Sequence, residues 1–181
     1  MVRLCSLQVV AILYNIRSLH NVGSIFRTAD AVGVEKIYLC GITPAPTDRF
    51  GKVRSQFAKV ALGAEQFVEW KKCGSTSRLI TELKNKGYKI VALEQSKKAI
   101  PYYKLKVKNR QLSKVVLIVG NEVRGVPHAL LKKCDAILEI PMHGVMVRHA
   151  HHPRHIGQGK ESLNVAVAFG IVVFHLTHAR K

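Results

Sequence analysis

The segment NVGSIFRTADAVGVEKIYLC, Asn21 to Cys40, carries a helical period, a stop signal and an apolar strand in direct succession. Ile25, Phe26, Ala29 and Val32 repeat at helical spacing, Gly33 stands where helices commonly end, and Lys36–Leu39 is a short apolar run. A helix that hands over to a buried strand is the building unit of an α/β fold, and the chain repeats it on both sides of this segment. Strands are expected at Leu7–Tyr14, Lys36–Leu39, Lys89–Leu93, Val115–Val119 and Ala136–Ile140, and helices at Val22–Val32, Thr76–Lys86, Pro127–Lys133 and Ser162–His175. These strands are apolar nearly throughout, which predicts a parallel sheet covered by helices on both faces.

Local punctuation supports the placement. Gly87 follows LITELKNK as a helix stop, Pro127 suits a first helical turn because its missing N–H costs nothing there, and Ser162 can cap the last helix with its hydroxyl. Residues 41–66, GITPAPTDRFGKVRSQFAKVALGAEQ, lack a long apolar period and hold two prolines and four basic residues. Most of this stretch reads as a surface loop, and a basic loop at the end of a strand is a candidate binding element.

A chain of 181 residues with 48% hydrophobic content has material for one well-buried core, and no Pro/Ser-rich linker divides it, so one domain over 1–181 is expected. The 29 Lys and Arg against 11 Asp and Glu leave a net charge of +18 spread along the chain, a field that concentrates polyanions and points to nucleic acid. Cys5, Cys40, Cys73 and Cys134 are far apart without a CxxC pair, which suits reduced thiols of a cytoplasmic protein better than a disulfide frame or a zinc site. The opening MVRLCSLQVVAILYNIRS lacks a small-residue cleavage site and reads as a first strand, and no run approaches the roughly 20 apolar residues that a membrane helix needs. No membrane partner is expected.

Three segments place polar residues and glycines at strand-to-helix junctions, where parallel sheets form their ligand crevices. In the first, Arg27 sits among apolar helical neighbours, so burial with a carboxylate, phosphate or ligand partner is expected, Asp30 and Glu122 being candidate structural partners. Asn21 and Gly23 at the start of that helix can present donors to an anion. In the second, VVLIVGNEVRGVP, Gly120 and Gly125 permit close backbone approach to a bound molecule, without the pattern of a P-loop or of a GxGxxG fingerprint. The third, ILEIPMHG followed later by KESLNVAVAFGIVV, brings Ser162 and Asn164 to a helix start.

Taken together, NVGSIFRTADAVGVEKIYLCGITP, LIVGNEVRGVP and IPMHG…KESLNVAVAFGIV resemble, in order and spacing, the three motifs of the SpoU/TrmH group of SPOUT RNA methyltransferases. VALGAEQFVEW and GYKIVALEQ fit between them, so the resemblance covers nearly the whole chain. It implies an S-adenosylmethionine-dependent enzyme that methylates a ribose 2′-hydroxyl of tRNA or rRNA, with a C-terminal trefoil knot and a homodimeric assembly. No sizeable RNA-binding extension of the kind that members often carry is expected within these 181 residues. The resemblance places the catalytic arginine at Arg27, with Asn21, Glu122, Ser162 and Asn164 beside it, and sets the cofactor against Leu93, Gly120, Asn121, Gly125, Ile140, Met142 and Leu163. The partner subunit's site is one place where Arg27 can act. DNA, which lacks the acceptor hydroxyl, is not an expected substrate. A base-methylating SPOUT enzyme and a non-catalytic RNA-binding protein of the same fold are the alternatives.

Family members pass from the IPMHG segment to SLNV through a very short loop, so about 146–159 is expected to be an insertion. Its His149, His151, His152 and His155 suggest a metal, but Pro153 prevents a helical pair between His151 and His155 and no Cys or acid stands in the patch. A surface loop that touches RNA through Arg148 and Arg154, without a metal, is the expectation. The last helix is apolar nearly all round, which calls for burial of its outer face in a dimer with the first helix.

Overall fold

The computed structural model describes residues 7–105, 113–142 and 162–178. It contains a seven-stranded, wholly parallel sheet in the order β3-β2-β1-β6-β4-β7-β5. The strands are β1 (Gln8–Tyr14), β2 (Lys36–Cys40), β3 (Glu69–Cys73), β4 (Lys89–Leu93), β5 (Ile100–Pro101), β6 (Lys114–Val119) and β7 (Ala136–Glu139). The helices are α1 (Leu19–Val32), α2 (Ser55–Ala61), α3 (Thr76–Asn85), α4 (His128–Leu131) and α5 (Val165–His178), with single 3₁₀ turns at Ala64–Gln66 and Tyr102–Lys104.

Both faces of the sheet are covered, and the central strands show why they read as unbroken apolar runs. Val9, Ala11 and Leu13 of β1 with Val115, Leu117 and Val119 of β6 pack toward α1, α2 and α5. Val10 and Ile12 with Val116 and Ile118 pack on the opposite face with Leu79, Ile80 and Leu83 of α3 and Leu130 of α4. Successive side chains of a strand point to opposite faces, so burial on both sides removes the polar alternation. The chain builds outward through β1, β2 and β3, and α3 then carries it back across the sheet to β4. β6 enters between β1 and β4, which creates the change of direction at which parallel sheets open a crevice.

Gly33 ends α1 at φ 72° and its N–H donates to the Ala29 and Asp30 carbonyls, as its position predicts. Ser75 caps α3 by accepting from the Arg78 amide, and Gly87 follows at φ 81°. Pro127 lies one position earlier than expected, at the N-cap of a shorter α4. The structure corrects the reading of residues 41–66, which contain α2 and a 3₁₀ turn in addition to a loop. Phe57 and Ala61 of α2 are buried, and the Phe57 ring meets Phe26 of α1 edge to face at 5.2 Å. Gly23 lets α2 approach α1 closely, since a Cβ there would lie 3.2 Å from Val60 Cβ, a tighter contact than side chains usually make. The edge strands β3 and β5 were not expected: β3 has the sequence EWKKC, with no residue fully buried, and β5 is two residues long.

Phe57→Ala removes the side chain that joins α2 to α1. An unfolding midpoint in urea lower by the equivalent of about 3–5 kcal/mol, with the slope unchanged, is the expected outcome.

Candidate active site

The C-terminal ends of β4, β6 and β7 and the start of α5 enclose a crevice of about 310 Å³. All the residues expected to hold a cofactor line it: Leu93 from β4, Gly120, Asn121 and Gly125 from the loop after β6, Ile140 and Met142 after β7, and Leu163 before α5. Glu122 and Ser162 of the expected catalytic set line it too. The volume is that of a small-molecule site, and the wall combines apolar side chains with convergent polar groups.

The loop after β6 is pulled tight. Asn121 and Gly125 exchange both backbone hydrogen bonds, at 3.2 and 2.8 Å, and the Asn121 Oδ1 accepts from the Val123 and Arg124 amides. A Cβ at Gly120 would lie 2.4 Å from the Gly125 carbonyl carbon, and Gly125 takes φ 62° with a Cβ position 2.0 Å from Glu94 Oε2. Both glycines are therefore required for the turn itself, and its compact path leaves backbone facing the crevice. Asn121 also donates through Nδ2 to the Asn15 carbonyl at 2.8 Å, so its side chain anchors the loop to the end of β1.

A hydrogen-bond chain joins the three segments. Asn164 Nδ2 donates to Asn21 Oδ1 at 3.0 Å, and Asn21 Nδ2 donates to Glu122 Oε1 at 3.0 Å. The Glu122 carboxylate also accepts from the backbone amides of Arg17 and Ser18, just before α1. The anion expected at this helix start is therefore the protein's own Glu122, while Gly23 faces α2 and the N-cap is Ser18, which accepts from the Asn21 amide. Burial pushes the Glu122 carboxyl upward, but hydrogen bonds from its own amide, Asn21, Arg17 and Ser18 outweigh this and hold it below its ordinary value of 4.5.

Two sequence expectations are corrected here. The cap of α5 is Asn164, whose Oδ1 accepts from the Ala166 and Val167 amides at 2.9 and 3.4 Å. Ser162 is exposed, and its hydroxyl has no hydrogen bond with a described residue, so it is a free polar group on the crevice wall. Arg27 is likewise exposed, not buried, and pairs with neither Asp30 nor Glu122 among the described residues. It is not among the residues that line the crevice, and the buried side of α1 is already filled by Val22, Ile25, Phe26 and Ala29. Asn21 and Asn164 instead meet a second, shallow groove between α1 and α5, with Ser24, Thr28, Gly170 and Phe174.

The sequence reading passed over Asn15, Glu94 and Glu139. Asn15, at φ 55°, accepts from the Ile42 amide through Oδ1 and from Asn121 through its carbonyl, tying together the loops after β1, β2 and β6. Glu94 accepts from the Val126 amide at 2.6 Å and from the Gln95 amide at 3.0 Å. Each stands at the end of a strand, the signal that singled out their neighbours. Glu94, Glu122 and Glu139 put three of the chain's 11 acidic residues on one crevice, an electronegative enclave in a chain of net charge +18. The histidine patch and the expected insertion lie outside the described residues.

Comparison with known proteins agrees with this geometry. The model of the SpoU rRNA Methylase family matches residues 8–174, and the chain belongs to that family. It is 29% identical over 92% of its length to the tRNA (guanosine(18)-2′-O)-methyltransferase of Aquifex aeolicus, spanning 67% of that protein. It is 29% identical over 90% of its length to the 23S rRNA (guanosine-2′-O-)-methyltransferase RlmB of Neisseria meningitidis, of which it spans only 55%. Among solved structures, the A. aeolicus TrmH/SpoU tRNA modifying enzyme superposes with a TM-score of 0.73 at 26% identity, over 96% of this chain and 77% of that one. The AdoMet-bound rRNA methyltransferase from Sinorhizobium meliloti gives 0.75 at 27% identity, over 94% and 56%.

The Glu122 carboxyl titrates lower in the fold than in the unfolded chain. Its contribution to stability is therefore present above pH 4.5 and lost as the pH falls through the lowered folded value. Glu122→Gln abolishes this titration. Urea midpoints followed from about pH 6 to about pH 3 should fall less steeply for the variant than for the wild type.

Proposed function

We propose that the protein is an S-adenosylmethionine-dependent methyltransferase acting on a ribose 2′-hydroxyl of tRNA or rRNA, in the cytoplasm. The observation that carries this reading is the crevice at the ends of β4, β6 and β7, where residues from all three resemblance segments converge or are joined by hydrogen bonds. The match to the SpoU rRNA Methylase family and the names of its relatives supply the reaction class.

The residues fit such a cofactor. The glycine loop offers backbone at close range, Leu93, Ile140 and Leu163 offer an apolar slot, and Glu94, Glu122 and Glu139 favour a cation over a polyanion in the crevice. When bound, S-adenosylmethionine supplies an electrophilic sulfonium methyl group. A ribose hydroxyl is a weak nucleophile and must lose its proton as the new O–C bond forms. An arginine is always protonated, so Arg27 serves by holding a substrate phosphate and stabilising the developing alkoxide, and the proton leaves through the free Ser162 hydroxyl or water. Asn164 and Asn21 hold the start of α5 and Glu122 in register, which makes them positioning residues.

Arg27 stands outside its own crevice, and this supports a homodimer in which it serves the partner's site. The outer face of α5 carries Val167 at 52% and Phe174 at 46% exposure, beside the groove that α1 shares with it. That face is apolar and uncovered, as an isologous interface between two copies requires. The trefoil knot of the resemblance belongs to the same reading, together with a single SpoU-type domain interrupted at about 146–159. The passage from β7 to α5, where a knot would close, runs through residues that are not described.

Methyl transfer from labelled cofactor to total RNA, followed by nucleoside analysis, should yield 2′-O-methylated ribose and should weaken steeply with salt. Methylated bases alone, or no transfer, would sink the assignment. Arg27→Ala should lower single-turnover rates by about 10²–10³-fold or more while cofactor affinity stays near wild type.

Mixing Arg27→Ala chains with Leu163→Trp chains, in which the crevice is filled, tests the shared site. The heterodimer contains one site with an intact crevice and the other chain's Arg27, so activity should return. Continued inactivity of a verified heterodimer would place Arg27 in its own chain's site.

A further inference from the structure

The stretch between β2 and α2 contains a small rigid hairpin that the catalytic reading does not use. Thr47 and Val53 form an antiparallel bridge, and the Asp48 amide donates to the Lys52 carbonyl at 2.8 Å. Inside the turn, the Asp48 carboxylate accepts from the Phe50 and Lys52 amides at 2.8 and 3.0 Å, and Gly51 turns the chain at φ 81°. At the base, Arg54 donates from its amide to the Pro46 carbonyl and from Nε to the Thr47 carbonyl. The only acid of the hairpin is thus consumed in shaping it, and the tip it shapes is cationic and aromatic.

Phe50 is 78% exposed at that tip, and the Arg49 guanidinium lies over its ring, 4.7 Å from the centroid. The hydrogen bonds of the turn hold the backbone that carries this ring, so its aromatic surface is presented to solvent on a defined support. Arg49 lies over one face of the ring, and the exposed Lys52 and Arg54 follow in the same hairpin and at its base. An exposed aromatic ring paired with a guanidinium, on a hairpin that carries further cations, matches the chemistry of an unstacked nucleobase and its adjoining phosphates.

The position also fits. The hairpin follows the C-terminal end of β2, the end of the parallel sheet at which the crevice opens, and β2 itself lies two strand spacings, about 10 Å, from β6. The next element, α2, packs on α1 at Gly23, one helical turn before Arg27. The tip and Arg27 therefore stand on connected, rigid elements.

Building on the RNA reading above, we propose that the Asp48–Lys52 hairpin is a recognition element that stacks an unpaired base of the substrate RNA on Phe50, with Arg49, Lys52 and Arg54 on the neighbouring phosphates. Single-stranded or loop nucleotides are its ligand, since bases inside a duplex offer no free face.

The test is direct binding of the full chain to a labelled single-stranded RNA oligonucleotide and to a duplex of the same sequence, both without cofactor. Phe50→Ala should weaken single-strand binding about tenfold and leave duplex binding unchanged, and Phe50→Trp should restore it. Phe50→Leu, which keeps apolar area without an aromatic face, should not restore it. Arg49→Ala should weaken binding to both RNAs and lower the salt dependence. Cofactor affinity and the crevice should be unaffected in every variant, because Phe50 is solvent-exposed. Equal affinities for Phe50→Ala and wild type, equal losses on both RNAs, or full rescue by leucine would overturn the proposal. The methyltransferase reading stands or falls separately, on methyl transfer by the wild-type chain.

Discussion

The structure depends on a hydrogen-bond chain whose direction admits no reversal. Glu122 is acceptor-only, so Asn21 must present its NH₂ group to it and keep its carbonyl oxygen for another donor. Asn164 is that donor, and its remaining oxygen then faces the free amides at the start of α5. The amide dipoles of two asparagines thus connect the N-terminus of α5 to a carboxylate at the end of β6. The partners lie 143 and 101 residues apart in the chain, so the links close only when the whole sheet has formed.

Around this axis the crevice is shaped by what is absent as much as by what is present. Side chains at Gly120 and Gly125 would collide with backbone and with Glu94, so the loop after β6 can fold back on itself only with hydrogen at both positions. The bridge between Asn121 and Gly125, and the Asn121 link to Asn15, then fix the loop against β1. A rigid wall of main chain forms at the point where the strand order changes, and Glu94, Glu122 and Glu139 are among the residues that line the crevice beside it. In a chain of net charge +18 such an enclave repels polyanions from the crevice while the remaining surface attracts them.

The amino-acid sequence by itself determined the α/β class, because strands buried on both faces must be apolar at every position and helices must not be. Glycines and polar residues at strand ends marked Gly120, Gly125 and Ser162 as candidates, the family resemblance added the apolar Leu93, Ile140, Met142 and Leu163, and Glu94 and Glu139 on the same crevice were read by neither. Tertiary structure alone decided the rest. Strand order, with β6 between β1 and β4, follows from packing that no local period encodes. The edge strand β3 is missed by pattern because one edge and most of its side chains meet solvent, so Glu69, Lys71 and Lys72 are tolerated in it. The cap of α5 moves from Ser162 to Asn164 because the helix begins at Val165, and the exact start of a helix depends on what its first turn meets. Arg27 has apolar neighbours in sequence, but the angular position of its side chain around α1 points it to solvent once Ile25, Phe26 and Ala29 occupy the core. Periodicity tells which residues share a face of a helix, and only the assembled sheet tells what that face meets.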